Sequence, residues 1–224
     1  MLDLFAEDEP WQEPLAEGAL ILRRRARDIA PRLMAEIKDI AARNAFRHCI
    51  TPGGHRMSVA MTNCGDLGWS SDSRGYHYRT LDEASGQRWP AMPPPFRQLA
   101  QECAREAGFG GFDPDACLIN RYESGAKMTL HQDKDERDLR QPIVSVSLGL
   151  PAVFLFGGFT RSDASRRVLL EHGDVVVWGG PSRLRYHGIL PLKAGIHPLT
   201  GAFCFNLTFR CAGQNSAAFI TGKN

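Results

Sequence analysis

His131-Gln132-Asp133 sets an imidazole and a carboxylate two residues apart, and a second histidine, His187, follows in the phrase RYHGI. Residues i and i+2 of an extended strand point to one face, so His131 and Asp133 can approach one metal ion together. With His187 as third donor, two imidazoles and one carboxylate take one face of an octahedron. The three positions left open suit non-haem Fe(II) that must bind a bidentate co-substrate and then O2. An H-x-D tripeptide by itself is common by chance, and a single histidine is more often structural than a ligand, so the surroundings must carry the assignment. The other five histidines, His48, His55, His77, His172 and His197, are read as structural.

The surroundings are informative at Phe203 to Arg210, which alternates without a break. Phe203, Phe205, Leu207 and Phe209 share one face of the implied strand, and Cys204, Asn206, Thr208 and Arg210 share the other. An arginine at the end of an inward polar row needs an anion, because burying it unpaired is costly. The same alternation puts Asn120 and Tyr122 on one face of LINRY. Amide, phenol and guanidinium converging beside a metal would receive a dicarboxylate; a purely structural polar network is the other reading of these groups.

The elements that must hold these groups are mostly strands. From Ala116 onward, ACLINRY, IVSVSLGL, AVFLFGG, RVLLEHGDVVVWGG and AFCFNLTFR are separated by Gly, Pro, Asp and Ser turns, which implies a sandwich or barrel. Before them, Ile29, Leu33, Ile37, Ile40 and Ala41 recur at helical spacing after an N-cap candidate, Asp28, with Pro31 tolerated in the first turn. A second helix follows Pro93 to Pro95, with Phe96, Leu99 and Cys103 on one stripe and Gly108 as its stop. The stretch from Thr51 to Pro95 has no sustained period and reads as a long loop or hairpin region of the kind that often carries function.

The 224 residues suffice for one domain, and 27 Lys and Arg against 25 Asp and Glu leave a net charge of +2, too mild to require a nucleic-acid partner. Arg23 to Arg25 and Arg161 to Arg167 are local basic clusters that also fit ordinary surface. The six cysteines form no C-x-x-C pair and read as buried free thiols, not as a zinc knuckle or disulfide framework. No apolar run is long enough to span a bilayer and the acidic start is unlike a secretory signal, so a cytoplasmic protein without membrane contact is expected.

The phrases TPGGHRMSVAMTNCG, DACLINRY, LHQDKDE, PIVSVSLGLPAVF, LLEHGDVVVWGG, RYHGI and NLTFR, in that order, resemble the AlkB-type DNA and RNA repair dioxygenases over about residues 1 to 212. The resemblance implies a mainly β protein with flanking helices, built on a double-stranded β-helix (jelly-roll) core at about 111–212. Helices and nucleotide-recognition loops would fill about 1–110, and 213–224 would be a mobile tail. It implies iron held by His131, Asp133 and His187, and 2-oxoglutarate contacted by Asn120, Tyr122, Asn206, Thr208 and Arg210. Trp69, Tyr76, Asp135 and Arg161 would contact the substrate, with Thr51, Met57 and Met61 lining its pocket. One position departs from the family pattern: Cys204 stands where an arginine precedes N-x-T-x-R. A weakened 2-oxoglutarate site is expected, with Arg183 or Arg185 as neighbours able to compensate.

The implied reaction is oxidative dealkylation of N-alkylated bases of the 1-methyladenine and 3-methylcytosine type. It is coupled to O2 consumption and decarboxylation of 2-oxoglutarate to succinate, with release of formaldehyde. A base inside a duplex cannot reach a recessed metal, so single-stranded DNA is the expected partner, with double-stranded DNA and RNA open, and a monomer is expected. Trp69 can stack on a cationic base and Asp135 can oppose its charge, while Lys127, Lys134 and Arg161 would meet phosphates. Two other readings stand beside this one: a non-catalytic nucleic-acid module on the same fold, and a 2-oxoglutarate oxygenase acting on another substrate.

Overall fold

The computed structural model describes residues 9–213, so all of the expected mobile tail beyond Gly213 lies outside the described residues. In chain order the strands are β1 (Trp11–Ala16), β2 (Ala19–Arg23), β3 (Arg47–Ile50), β4 (Arg56–Gly65), β5 (Gly68–Asp72), β6 (Gly75–Arg79), β7 (Ala116–Tyr122), β8 (Met128–His131), β9 (Ile143–Gly149), β10 (Ala152–Phe156), β11 (Arg166–Leu170), β12 (Val175–Trp178), β13 (His187–Ile189) and β14 (Cys204–Arg210). The helices are α1 (Ala30–Arg43) and α2 (Pro94–Glu106). Eight strands form one sheet in the order β1-β2-β12-β9-β14-β7-β4-β3, four form a second in the order β11-β10-β13-β8, and β5-β6 is a separate hairpin.

The alternation of β14 explains how the large sheet is covered. Phe205, Leu207 and Phe209 face α1 and α2 and join a core with Leu33, Ile37, Phe96 and Leu99. Phe209 meets Phe96 edge to face, with ring centroids 5.9 Å apart. Burying each such side chain contributes about 1.5–3 kcal/mol. The opposite face of the large sheet looks toward the small one across a cavity bounded by two apolar clusters, one around Phe154, Phe156 and Trp178, the other around Met61, Leu118 and Tyr122. Between them lie the polar residues of β7, β9 and β14. This is the double-stranded β-helix the resemblance implies.

Three local expectations are corrected. Asp28 does not cap α1: Ile29 occupies the cap position in a helical conformation, without a side-chain cap. Pro31, having no N–H, reduces the number of donors that needed one. From Thr51 to Pro95 the hairpin part of the reading holds, as β5–β6, but β4 stands where a loop was expected. Strand β4 runs ten residues and pairs with β7, from Ala60↔Arg121 to Gly65↔Ala116. Its last seven residues, Val59 to Gly65, are buried on both faces, so they lack the polar alternation that marks a half-buried strand. Finally, β1 and β2 add a hairpin to the edge of the large sheet in a segment read without strands. The second helix ends as expected, with Gly108 at φ +88°. Among the described residues no helix is long and apolar enough to cross a membrane.

Candidate metal centre and substrate pocket

His131 closes β8 and His187 opens β13, and antiparallel pairing of these strands sets the two residues directly opposite each other, with ring centroids 4.4 Å apart. Asp133 follows two residues beyond β8. His131 Nε2 lies 3.7 Å from Asp133 Oδ1 and His187 Nε2 lies 3.8 Å from Asp133 Oδ2. These separations are too long for hydrogen bonds and fit three atoms gathered about a common point; the three ligand atoms lie within 4.8 Å of one another.

Each imidazole is oriented by its own backbone. His131 Nδ1 donates to Thr129 O at 2.9 Å and His187 Nδ1 donates to Arg185 O at 3.1 Å, which leaves the Nε2 lone pairs turned toward Asp133. Burial, followed by the neighbouring His131 ring, pushes His187 down to about 3, so its ring is neutral and able to ligate a metal. Burial by itself would raise the Asp133 carboxyl. The Arg210 guanidinium, and then the two histidine rings, outweigh it and hold that carboxyl well below the usual range. Two imidazoles with a carboxylate are the donor set Fe(II) takes, so these residues fit that ion.

Gly188 makes the close pairing of β13 and β8 possible. A Cβ there would come within 2.7 Å of Met128 O and 3.2 Å of Leu130 N, both backbone atoms. Gly188→Ala is therefore expected to part the two strands and weaken Mn(II) binding about tenfold or more, while the protein stays folded. A Mn(II) titration by electron paramagnetic resonance, beside a melting curve, checks this; unchanged affinity would show that strand spacing does not control the site.

Behind the ligands lies a charge network of which sequence reasoning caught only one end. Arg210 donates from Nε and Nη2 to Asp133 Oδ2 at 2.9 and 2.6 Å, and its Nε stands 3.3 Å from Glu136 Oε1. Buried Glu136 also accepts from Tyr78 Oη at 2.7 Å and from Arg183 Nη2 at 3.0 Å. Glu136 lies within LHQDKDE, three residues beyond Asp133, and nothing in its local sequence signals burial. Nor are Arg183 and Arg185 free to compensate at Cys204. Arg183 is buried on Asp133 O, Gln141 O and Glu136, and Arg185 donates to Gly157 O and Ser182 Oγ.

Two cavities meet at the triad, with His131 and Arg210 lining both. The inner one runs between the sheets past Asn120, Tyr122, Ser147, Cys204, Asn206 and Thr208. Burial pushes the Cys204 thiol up to about 12, and burial beside that thiol raises the Tyr122 phenol, so both keep their protons. The outer cavity is lined by Thr51, Met57, Met61, Trp69, Tyr76 and Asp135. Trp69 and Tyr76 stack on each other across the β5–β6 hairpin, ring centroids 5.4 Å apart and 20° from parallel. Asn63 on β4 fastens the hairpin, accepting from Trp69 N and donating to Trp69 O, each at 3.0 Å. Arg161 is not brought into either cavity: it is exposed, its guanidinium 5.5 Å from the centroid of the Tyr186 ring. Lys127 and Lys134 are also exposed.

Two antiparallel sheets enclosing a His-Asp-His set backed by a buried arginine define an oxygenase that uses iron and a 2-oxo acid. Residues 26–210 match the 2OG-Fe(II) oxygenase superfamily. The chain is 63% identical over 214 residues to the alpha-ketoglutarate-dependent dioxygenase AlkB of Escherichia coli (strain K12), covering 96% of this chain and 99% of that protein. It is 29% identical over 139 residues to the tRNA demethylase abh1 of Schizosaccharomyces pombe (strain 972 / ATCC 24843), covering 60% and 46%. The solved structure of OsALKBH1 matches with a TM-score of 0.77 at 28% identity, covering 89% of this chain and 99% of that one. The chain belongs to the AlkB-type dioxygenases, and it is an Fe(II)- and 2-oxoglutarate-dependent enzyme.

Proposed function

We propose that this enzyme removes alkyl groups oxidatively from bases of the 1-methyladenine and 3-methylcytosine type in nucleic acid, with single-stranded DNA preferred over duplex. The observation that carries this reading is the meeting at one triad of two cavities, an inner one into which Asn120, Tyr122, Asn206 and Arg210 bring polar groups and an outer one carrying Trp69 and Tyr76. His131, Asp133 and His187 hold Fe(II), the inner cavity takes 2-oxoglutarate, and the outer one takes the base. When bound, iron and 2-oxoglutarate supply the activation of O2 and the oxidising power that hydroxylates the N-alkyl carbon. The chain's own residues orient and exclude water. Arg210 holds Asp133 in place and offers its cation to the co-substrate, and Asn120, Tyr122, Asn206 and Thr208 line the inner cavity. Trp69 and Tyr76 open from their mutual stack to receive a flipped base, whose cation-bearing ring suits the indole face. Arg161, Lys127 and Lys134 meet phosphates outside the cavity.

Residues 1–212 act as one dioxygenase domain, with recognition elements in about 1–110 and the catalytic core in about 111–212. The enzyme works as a cytoplasmic monomer. The relative described as a tRNA demethylase supports nucleic acid as the substrate class. The test is formaldehyde release and mass loss from a 1-methyladenine oligonucleotide, single-stranded and duplex, with Fe(II), 2-oxoglutarate and O2. Succinate formation without dealkylation of either strand form would point instead to another substrate.

Asp135 at the rim of the outer cavity supplies the preference for cationic lesions. Loss of hydration, followed by the Glu136 and Asp133 carboxylates, raises its carboxyl, but an approaching cation favours the ionised form. Asp135→Asn is expected to cost about tenfold in kcat/KM on 1-methyladenine, ~1.4 kcal/mol, and clearly less on a neutral N-methylated base at the same pH. Equal losses on both would leave Asp135 a structural role.

A further inference from the structure

The inner cavity carries positive charge at one end only. Along β14 it is lined by Cys204, Asn206, Thr208 and Arg210, and among the described residues Arg210 is the only lysine or arginine in its lining. That guanidinium sits at the triad, donating twice to Asp133 and facing Glu136. A 2-oxo acid whose keto-acid end lies at the triad extends toward Cys204, which pairs with Tyr122 across β7 and β14. There it meets a buried neutral thiol and a phenol.

The groups between the two ends reinforce this. Asn206 Nδ2 donates to Val146 O at 3.2 Å and to Ser145 Oγ at 2.7 Å, which fixes its amide orientation. Asn206 Oδ1 therefore accepts, taking Asn120 Nδ2 at 3.1 Å and Thr208 Oγ1 at 2.7 Å. One N–H of Asn120 Nδ2 is committed in this way, and Asn120 Oδ1 is an acceptor buried without a hydrogen bond. A carboxylate brings only acceptors and cannot satisfy it. A second negative charge placed here is desolvated with a phenolic O–H to bind and no cation to oppose it.

We propose that this pocket does not select its 2-oxo acid by charge at the far end: it holds that end by hydrogen bonding and packing beside Tyr122 and Cys204, and takes a neutral-ended 2-oxo acid nearly as well as 2-oxoglutarate. This rests on assigning the inner cavity to the co-substrate. The enzyme remains 2-oxoglutarate-dependent; what is relaxed is discrimination.

The test measures dissociation constants with Mn(II)-loaded protein, in which turnover is blocked. Three ligands are compared: 2-oxoglutarate, its 5-methyl ester, which removes the far charge but keeps the chain length, and 2-oxopentanoate, which removes the far carboxylate altogether. The native protein is expected to bind the first two within about tenfold of each other. Cys204→Arg is expected to tighten 2-oxoglutarate about 30-fold or more and leave the ester within a few-fold, opening the preference. A native preference for 2-oxoglutarate over the ester of a hundredfold or more overturns the proposal, because a cation must then reach the far end. Should Cys204→Arg not fold, the native comparison decides alone. If Mn(II) binds but none of the three ligands does, the assignment of the inner cavity falls, and the proposal with it.

Discussion

His131→Ala and His187→Ala are expected to lose Fe(II) binding and dealkylation together, with turnover falling by at least roughly a thousandfold, because the iron carries the chemistry and each imidazole is one of the three donors proposed to hold it. The fold is expected to survive both changes. His131 is only partly buried and its Nδ1 bond ends on a backbone carbonyl within its own strand, so its removal strands no buried partner. His187 is buried against Trp178 and Phe154, and its truncation costs more in packing, though well short of the whole stability of a domain this size. Metal content by mass spectrometry, formaldehyde release and a melting curve for the metal-free proteins check the three parts. A variant that kept native iron content and native turnover would remove its histidine from the ligand set. Asp133→Ala tests the same idea less cleanly, since it also leaves Arg210 without its closest carboxylate.

Glu136→Ala is expected to lower stability by about 3–5 kcal/mol, the cost typical of taking one partner from a buried ion pair. Glu136 is the buried carboxylate shared by Arg183 Nη2 at 3.0 Å and Arg210 Nε at 3.3 Å, and it accepts the Tyr78 hydroxyl as well. Removing it leaves Arg183 buried with only backbone carbonyls to bind and loads Arg210 wholly onto Asp133. Urea unfolding of metal-free protein measures the loss. Glu136→Gln keeps an acceptor but not the charge, so it is expected to fall between the two. A loss below about 1 kcal/mol for Glu136→Ala would show that water or another carboxylate replaces it. Iron affinity is expected to fall as well, because Asp133 is held in place through Arg210.

Local spacing determined a good deal. The two-residue step from His131 to Asp133, the unbroken alternation of Phe203 to Arg210 and the helical stripes through Leu33 and Phe96 each follow from the periods of strand and helix, and those periods are written in neighbouring residues. That alternation is why Phe209 packs on α2 while Arg210 faces the cavity, and the demand that Arg210 find an anion came from the cost of burying a charge. What spacing could not supply was the partner. The register that puts His187 opposite His131 depends on β13 pairing with β8, strands separated by more than fifty residues, and on Gly188 admitting the backbone of β8. The same holds for β4: enclosed by both layers, its residues 59–65 need no polar face and so lose the alternation that would have marked them. Glu136 and Asn120 belong to this class too, one a charge made tolerable by two arginines from distant strands and loops, the other an amide whose free oxygen is decided two hydrogen bonds away at Val146. The sequence by itself determined which side chains share a strand face; the closing of two sheets over one cavity decided which faces meet, because pairing energy between remote strands leaves no periodic trace in either one.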